Sequence, residues 1–107
     1  MTPNECLSYW LIEELVAQGI TQFCISPGSR STPLTVAAAR HFQANTKIFL
    51  DERAAAYFAL GWARSTDQAA VLICTSGTAG ANYYPAIIEA SVEHLPLLAI
   101  TADRPPE

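Results

Sequence analysis

The 107-residue sequence has little charge and no apolar run long enough to span a membrane. Charged residues make up 15% of the chain and hydrophobic residues 50%. This balance is typical of strands covered on both faces, or of a domain that buries one surface against a partner. No apolar run approaches the roughly 18 residues that cross a bilayer, and the N-terminus lacks the basic and apolar regions of a signal peptide. We therefore predict a cytoplasmic protein without a membrane span.

Positive charge is scarce as well. Six basic residues stand against ten acidic ones, giving a net charge of −4, and no basic run or patch is visible. These features argue against a nucleic-acid partner or an anionic membrane surface. Any anion that binds must be held by one or two arginines and by backbone amides.

The chain also lacks paired cysteines and a metal-binding motif. Its three cysteines have no paired spacing and are interpreted as reduced thiols, two of them in the core: Cys6, Cys24 and Cys74. His41 and His94 have no second ligand at metal-binding spacing, so we expect no metal site on this chain and interpret both as helix-end residues.

The hydrophobic periodicity predicts alternating helices and strands. Helices are predicted over residues 6–18, 32–42, 52–64 and 78–94, and strands over residues 22–26, 47–50, 70–75 and 96–101. Single helices between strands favour an α/β fold, a parallel sheet with helices on both faces. A doubly wound domain normally continues after a fourth strand, so we expect residues 1–107 to be the first part of a longer protein.

Polar residues follow all four predicted strands, at the edge where parallel sheets bind ligands. Glu52 begins a helix directly after a strand, which makes it the first candidate for chemistry, although helix capping also explains an acid there. The loop at residues 27–32 offers hydroxyls and Arg30 for a carboxylate or phosphate, or is a simple turn with Arg30 in solvent. Arg104 is stiffened by two following prolines, or forms a surface pair with Asp103.

The turn at residues 75–80 (TSGTAG) permits close approach to the backbone and caps a helix. It matches neither G-x-x-x-x-G-K-[ST] nor G-x-G-x-x-G, and it lacks the first glycine of a nucleophile elbow. Ser76 is therefore not expected to be a hydrolase nucleophile. The nearly uncharged stretch at residues 54–63, rich in small side chains, suggests a subunit interface in addition to core packing.

Four motifs occur together and in order, and as a set they resemble one enzyme family. They are residues 25–34 (ISPGSRSTPL), 51–53 (DER), 75–79 (TSGTA) and 101–107 (TADRPPE). The set is similar to the amino-terminal part of the 2-succinyl-5-enolpyruvyl-6-hydroxy-3-cyclohexene-1-carboxylate (SEPHCHC) synthases, which are thiamine-diphosphate enzymes of menaquinone biosynthesis. The resemblance extends from about residue 11 to residue 107.

The resemblance implies that residues 1–107 form the amino-terminal part of a pyrimidine-binding domain, with later domains lying outside this chain. It assigns Glu52 to N1′ of the cofactor's aminopyrimidine as the catalytic residue. Ser76, Gly77 and Thr78 would pack around the pyrimidine ring. Ser29, Arg30 and Arg104 would bind substrate carboxylates.

The reaction implied by the resemblance is a decarboxylation of 2-oxoglutarate followed by addition of the remaining unit to isochorismate. In this family the diphosphate and Mg²⁺ are held by a later domain, usually from the other subunit, so we expect a homodimer or higher homo-oligomer. The chain alone is expected to be inactive.

Two alternatives remain open. One is another thiamine-diphosphate decarboxylase or carboligase, since a glutamate at this position is general to that superfamily. The other is a non-catalytic, flavodoxin-like module that binds a phosphate or a protein through the turn at residues 76–78. The binding module predicts that Glu52→Gln leaves function intact, whereas the enzyme predicts a large loss of activity.

Overall fold

The computed structural model describes residues 1–106 and contains one sheet of four parallel strands. The strands are β1 (Gln22–Ile25), β2 (Asn45–Ile48), β3 (Ala70–Cys74) and β4 (Leu97–Thr101), in the spatial order β2-β1-β3-β4. Glu107, the last residue of the fourth motif, lies outside the described residues. The strand order reverses after β2, because the chain then crosses β1 and pairs β3 on its other side.

Four α-helices connect or precede the strands: α1 (Pro3–Ala17), α2 (Thr32–Arg40), α3 (Glu52–Thr66) and α4 (Tyr84–Glu93). Short 3₁₀ helices occupy Ser29–Ser31 and Gly77–Tyr83. None of the helices in residues 1–106 is long and apolar enough to cross a membrane.

The core consists of two layers, one on each face of the sheet. Strand residues alternate between the faces, so Phe23, Ile25, Val71 and Ile73 pack under α1 and α2. Cys24, Leu72 and Cys74 pack on the opposite face, against the alanines of α3 and against Tyr83. The predicted α/β fold with helices on both faces is therefore confirmed.

The two central strands are fully buried, whereas β2 is an exposed edge strand. Residues of β1 and β3 have no polar alternation, as expected for strands covered on both faces. β2 begins two residues earlier than predicted and ends at Ile48. The Asn45 N–H donates to the Thr21 carbonyl at 2.8 Å, so backbone pairing with β1 sets its position rather than the apolar run that follows.

Two helix starts differ from the sequence-based prediction, and the helix ends differ by one or two residues. α1 begins at Pro3 because Thr2 caps it: the Thr2 hydroxyl accepts from the Glu5 N–H at 3.2 Å, and Glu5 accepts from the Thr2 N–H at 2.8 Å. The predicted single helix over 78–94 is wrong in its first part, which is a 3₁₀ helix. α4 begins only at Tyr84, with Pro85 in its first turn, where a missing N–H costs nothing.

The positions of the two histidines and of Cys24 and Cys74 agree with their sequence-based interpretation. His41 and His94 are the C-caps of α2 and α4, as predicted. Cys24 and Cys74 are buried and unpaired, and Cys6 is a half-buried free thiol. Residues 1–106 contain no group of three or more His, Cys, Asp or Glu side chains placed to hold a metal ion.

Candidate functional site at the carboxyl edge of the sheet

The loops that follow β1 and β3 are in direct contact where the strand order reverses. The Ser26 N–H donates to the Ile73 carbonyl at 2.9 Å, so pairing continues past the end of β1. Gly28 then passes so close to Thr75 that a Cβ on the glycine would lie 2.5 Å from the Thr75 Cβ. Only glycine permits this approach. The reversal is also the place where open parallel sheets bind ligands.

Arg30 extends from the first loop across to the second. Its Nη1 donates to the Ser76 hydroxyl oxygen at 3.2 Å. The hydrogen bond joins two of the sequence motifs over 46 residues of chain. Arg30 is exposed, but its side chain is held at this edge by the loop after β3.

Ser29, Arg30 and Arg104 line one cleft of about 670 Å³. The walls of this cleft come from α1, the start of α2 and the segment after β4. Both arginines therefore border one open space, and a guanidinium group is suited to bind a carboxylate-bearing molecule. Among the residues that the structure describes, neither arginine forms an ion pair.

The alternative interpretation of Arg104, a surface pair with Asp103, does not occur as a side-chain ion pair within residues 1–106. Instead, the backbone N–H of Arg104 donates to the Asp103 carboxylate at 2.7 Å. This contact orients the chain beside the cleft. It leaves the Arg104 guanidinium available to a ligand.

Glu52 is the first residue of α3, but it does not cap that helix. Asp51 is the N-cap, and its carboxylate accepts from the Arg53 N–H at 3.0 Å. Within residues 1–106, Glu52 takes part in no side-chain hydrogen bond or ion pair, and it is half-buried. The capping hydrogen bond therefore comes from Asp51, whereas Glu52 lies in the first turn of α3, where an acid interacts favourably with the helix dipole.

Cys74 and Tyr83 lie on the face of the sheet that α3 covers, and Glu52 acts on both electrostatically. Burial raises the pKa of both side chains, and the negative charge of Glu52 raises the pKa of both further. The thiol and the phenol therefore stay neutral at physiological pH. Both side chains belong to the buried, largely apolar layer under α3, the helix that begins with Glu52.

The structure separates the predicted site residues into two groups at the same sheet edge. Ser29, Arg30 and Arg104 share the cleft on the side of α1 and α2, and Ser76 is tied to them by Arg30. Glu52, Gly77 and Thr78 are not among the residues that line this cleft. Gly77 has a φ of +82°, which favours glycine, and begins the 3₁₀ helix that leads to Tyr83.

Two buried polar groups were missed by the sequence analysis. Within residues 1–106, the hydroxyl oxygens of Ser26 and Tyr83 are buried and no hydrogen-bond partner lies within bonding geometry. Ser26 directly follows a strand, so its position at the edge could have been noticed from the sequence. Tyr83 gave no such signal, because it was placed inside a continuous helix that the structure does not contain.

Comparison of the chain with known sequences identifies a matching protein family. Residues 7–107 match the family model described as thiamine pyrophosphate enzyme, N-terminal TPP binding domain. The chain therefore belongs to this family of thiamine pyrophosphate enzymes.

Its curated relatives carry a more specific name, 2-succinyl-5-enolpyruvyl-6-hydroxy-3-cyclohexene-1-carboxylate synthase. The relative from Prosthecochloris aestuarii is 62% identical over 98% of this chain and 19% of its own length. The one from Chlorobium chlorochromatii is 65% identical over 98% of this chain and 18% of its own length. Haloquadratum walsbyi has a relative that is 62% identical over 90% of this chain and 16% of its own length. The chain thus spans less than a fifth of these relatives, and the predicted resemblance is confirmed.

Proposed function

We propose that this chain is the amino-terminal part of the pyrimidine-binding domain of a SEPHCHC synthase. The whole enzyme would decarboxylate 2-oxoglutarate and add the resulting succinyl-semialdehyde unit to isochorismate. One observation carries the proposal beyond the family likeness: Arg30 and Arg104 converge on one cleft, at the same sheet edge that presents Glu52. Two carboxylate-bearing substrates require such cationic groups beside the reacting centre.

The α3 side of the edge fits the aminopyrimidine ring of thiamine diphosphate. Among residues 1–106, neither the half-buried carboxylate of Glu52 nor the buried hydroxyl of Tyr83 on this side has a hydrogen-bond partner. A flat heterocycle with polar nitrogens on its rim matches such groups. Glu52 and the turn formed by Ser76, Gly77 and Thr78 would hold the ring.

Each residue then has one task in the proposed reaction. Glu52 would share a proton with N1′ of the aminopyrimidine, as a general acid and base placed at hydrogen-bonding distance does. Arg30 and Arg104 would bind and orient the substrate carboxylates, with Ser29 contributing a hydroxyl. When bound, thiamine diphosphate supplies the electron sink that decarboxylation and carbon–carbon bond formation need.

The remaining parts of the proposal concern groups outside these residues. We assign the diphosphate and Mg²⁺ to another domain of the enzyme, donated by the second subunit of a homodimer. The small side chains of α3 are already used in packing: Ala55, Ala56, Ala59 and Ala63 are buried against the sheet. A subunit interface on this helix would therefore involve its outer face, which carries Tyr57. We expect the isolated chain to be inactive.

The test is isochorismate consumption by the longest natural form of the protein, with 2-oxoglutarate, thiamine diphosphate and Mg²⁺. Omitting any one component should abolish turnover. Glu52→Gln should lower kcat by about 10²- to 10⁴-fold, the range of general acid–base catalysis, with unchanged circular dichroism and unfolding midpoint. The matched control is Glu89→Gln, which alters an exposed acid on α4 and should retain full activity.

The alternatives give different results in the same assay. Another thiamine-diphosphate carboligase would leave isochorismate untouched while still decarboxylating a 2-oxo acid in a Glu52-dependent manner. A non-catalytic binding module would show no turnover of either substrate. Either result would contradict the proposed reaction.

A further inference from the structure

The two arginines that line the cleft are held in different ways. Arg30 donates from Nη1 to the Ser76 hydroxyl oxygen at 3.2 Å, so a contact reaches its guanidinium group itself. Arg104 is held through its backbone, whose N–H donates to the Asp103 carboxylate at 2.7 Å. Within residues 1–106, no side-chain hydrogen bond or ion pair reaches the Arg104 guanidinium. Of the two, only Arg30 therefore has a partner that fixes the position of its cationic group.

The backbone of Arg30 is fixed as well. Arg30 lies in the 3₁₀ helix Ser29–Ser31. There the Ser31 hydroxyl donates to the Gly28 carbonyl at 3.0 Å, and the Ser31 N–H donates to the same oxygen at 3.2 Å. Ser31 is fully buried, so water competes little for its side-chain bond. The Arg30 side chain therefore extends from a closed turn.

A packing contact sets the distance between this turn and the loop after β3. A Cβ at Gly28 would lie 2.5 Å from the Thr75 Cβ, so the Gly28 backbone lies directly against Thr75. Ser76 is the next residue in the chain. The hydroxyl that accepts from Arg30 thus stands on a segment that is packed against the turn carrying Arg30.

Ser76 occupies a capping position but does not cap. It is the N-cap of the 3₁₀ helix Gly77–Tyr83, and its side chain makes no capping hydrogen bond. Serine is favoured at helix N-caps because its hydroxyl oxygen accepts from an N–H group of the following turn. In this structure the oxygen accepts from Arg30 instead. The hydroxyl therefore serves the arginine and not the helix.

Holding a guanidinium group in this way favours carboxylate binding. The group presents several N–H donors in one plane and binds a carboxylate through two of them. The bond to Ser76 uses one donor of Arg30 and leaves the others to a ligand. A side chain that is already held loses less conformational freedom when a ligand binds, so the affinity is higher.

We propose that Ser76 is a positioning residue for Arg30: its hydroxyl holds the guanidinium group beside the cleft, ready to receive a ligand carboxylate. This role gives the Ser76 side chain to the carboxylate site and leaves the backbone of the turn at Gly77 to the pyrimidine ring. The effect on substrate affinity rests on the proposed function. The contact itself does not, so it is tested first in the protein without cofactor.

The first test measures how fast phenylglyoxal modifies Arg30 in the longest natural form of the protein, without cofactor or substrate. The reagent bonds to both Nη atoms of a guanidinium group, so a hydrogen bond at Nη1 slows the modification. Peptide mass spectrometry follows Arg30, and the exposed Arg40 is the internal reference. Ser76→Ala should raise the Arg30 rate about two- to tenfold, the net strength of one hydrogen bond.

Two controls accompany this measurement. Ser76→Thr keeps a hydroxyl and should modify Arg30 at the wild-type rate, and Arg40 should react equally in all three proteins. An Arg30 rate that is the same in wild type and Ser76→Ala, whether measurable or zero, would overturn the proposal regardless of what the enzyme catalyses.

The second test is a kinetic double-mutant cycle. Ser76→Ala should raise KM for a carboxylate substrate about two- to tenfold with unchanged kcat, and Ser76→Thr should restore the wild-type value. In Arg30→Gln the same change should have no further effect, and Ser91→Ala, at an exposed serine of α4, should have none in either background.

Other outcomes of the cycle have distinct meanings. A Ser76 that acts only on the cofactor would raise the concentration of thiamine diphosphate needed for half-maximal activity, equally in both backgrounds, which would contradict the proposal. If the wild type did not consume isochorismate, the proposed function would fail, while the modification rates would still decide whether Ser76 holds Arg30.

Discussion

The carboxyl edge of the sheet has two sides that differ in construction. On the side of α1 and α2, an open cleft is lined by two exposed cationic residues, Arg30 and Arg104, which follow strands β1 and β4. On the side of α3, Glu52 stands on a helix above a buried layer that includes Tyr83. The first side is suited to capture ligand charge, and the second to hold one carboxylate in a fixed place. We therefore expect substitutions on the cleft side to change mainly KM, and substitutions on the α3 side to change mainly kcat.

The largest expected effect comes from removing both arginines. In the longest natural form, Arg30→Gln combined with Arg104→Gln should raise KM for the carboxylate substrates by about 10²- to 10⁴-fold, since each charged hydrogen bond is worth about 1.5–3 kcal/mol. The fall in kcat should be much smaller, in contrast to Glu52→Gln. Steady-state kinetics with each substrate varied in turn measures the split.

Arg64→Gln is the matched control for the arginine pair. Arg64 lies 3.2 Å from Glu93 in a surface ion pair, with both side chains about half exposed. Such pairs contribute little, so KM should not change. A fall in kcat with unchanged KM in the double variant would show that the two sides of the edge do not divide binding from chemistry.

The difference between the two sides of the sheet edge also explains which parts of the site could be predicted from the sequence. The cleft side consists of polar residues next to glycine and proline at strand ends, and these are visible in the sequence. The supporting layer on the α3 side depends on where residues 77–83 depart from an α-helix. That departure brings Tyr83 into the core, and no hydrophobic periodicity distinguishes it from a continuous helix. The strand β2 was predicted, but two residues too late, because backbone pairing with β1 outweighs the local apolar pattern that follows it.

The burial of the α3 side also predicts a pH dependence of stability. Burial raises the pKa of Cys24 from 9.0 to about 11. The thiol therefore contributes stability that is fully present below pH 9 and is lost as the pH rises toward 11, because the unfolded chain releases its proton first. The pKa of Cys24 is raised by about two units, which corresponds to about 2–3 kcal/mol of stability lost over this pH range.

The measurement is urea unfolding of wild type and Cys24→Ala between pH 7 and 11. The stability advantage of the wild type should shrink by that amount across the upper two pH units. An advantage that stays constant with pH would mean that the core beneath α3 admits water, and the contrast between an open and a closed side would fail.

A smaller effect is expected where the two sides join, at Gly28. Gly28→Ala would force its Cβ against Thr75, with 2.5 Å to the Thr75 Cβ and 2.8 Å to its Cγ2. Overpacking of this kind costs about 1–3 kcal/mol. The shift of the loop after β1 should also disturb the contact between Arg30 and Ser76, so KM should rise together with the loss of stability. Urea unfolding and steady-state kinetics on one preparation would show whether both changes occur.

Gly61→Ala is the matched substitution on the α3 side, and it should have the smallest effect and the opposite sign. Gly61 lies in the interior of α3, and a Cβ built there meets no atom within 4 Å among the described residues. Alanine in a helix interior is more favourable than glycine by about 0.5–1 kcal/mol, so the free energy of unfolding should rise by that amount with unchanged kcat and KM. A loss of stability in the full-length protein would instead show that another part of the enzyme packs against this position. In that case the outer face of α3 is an interface, and the helix that carries Glu52 is covered on both of its faces.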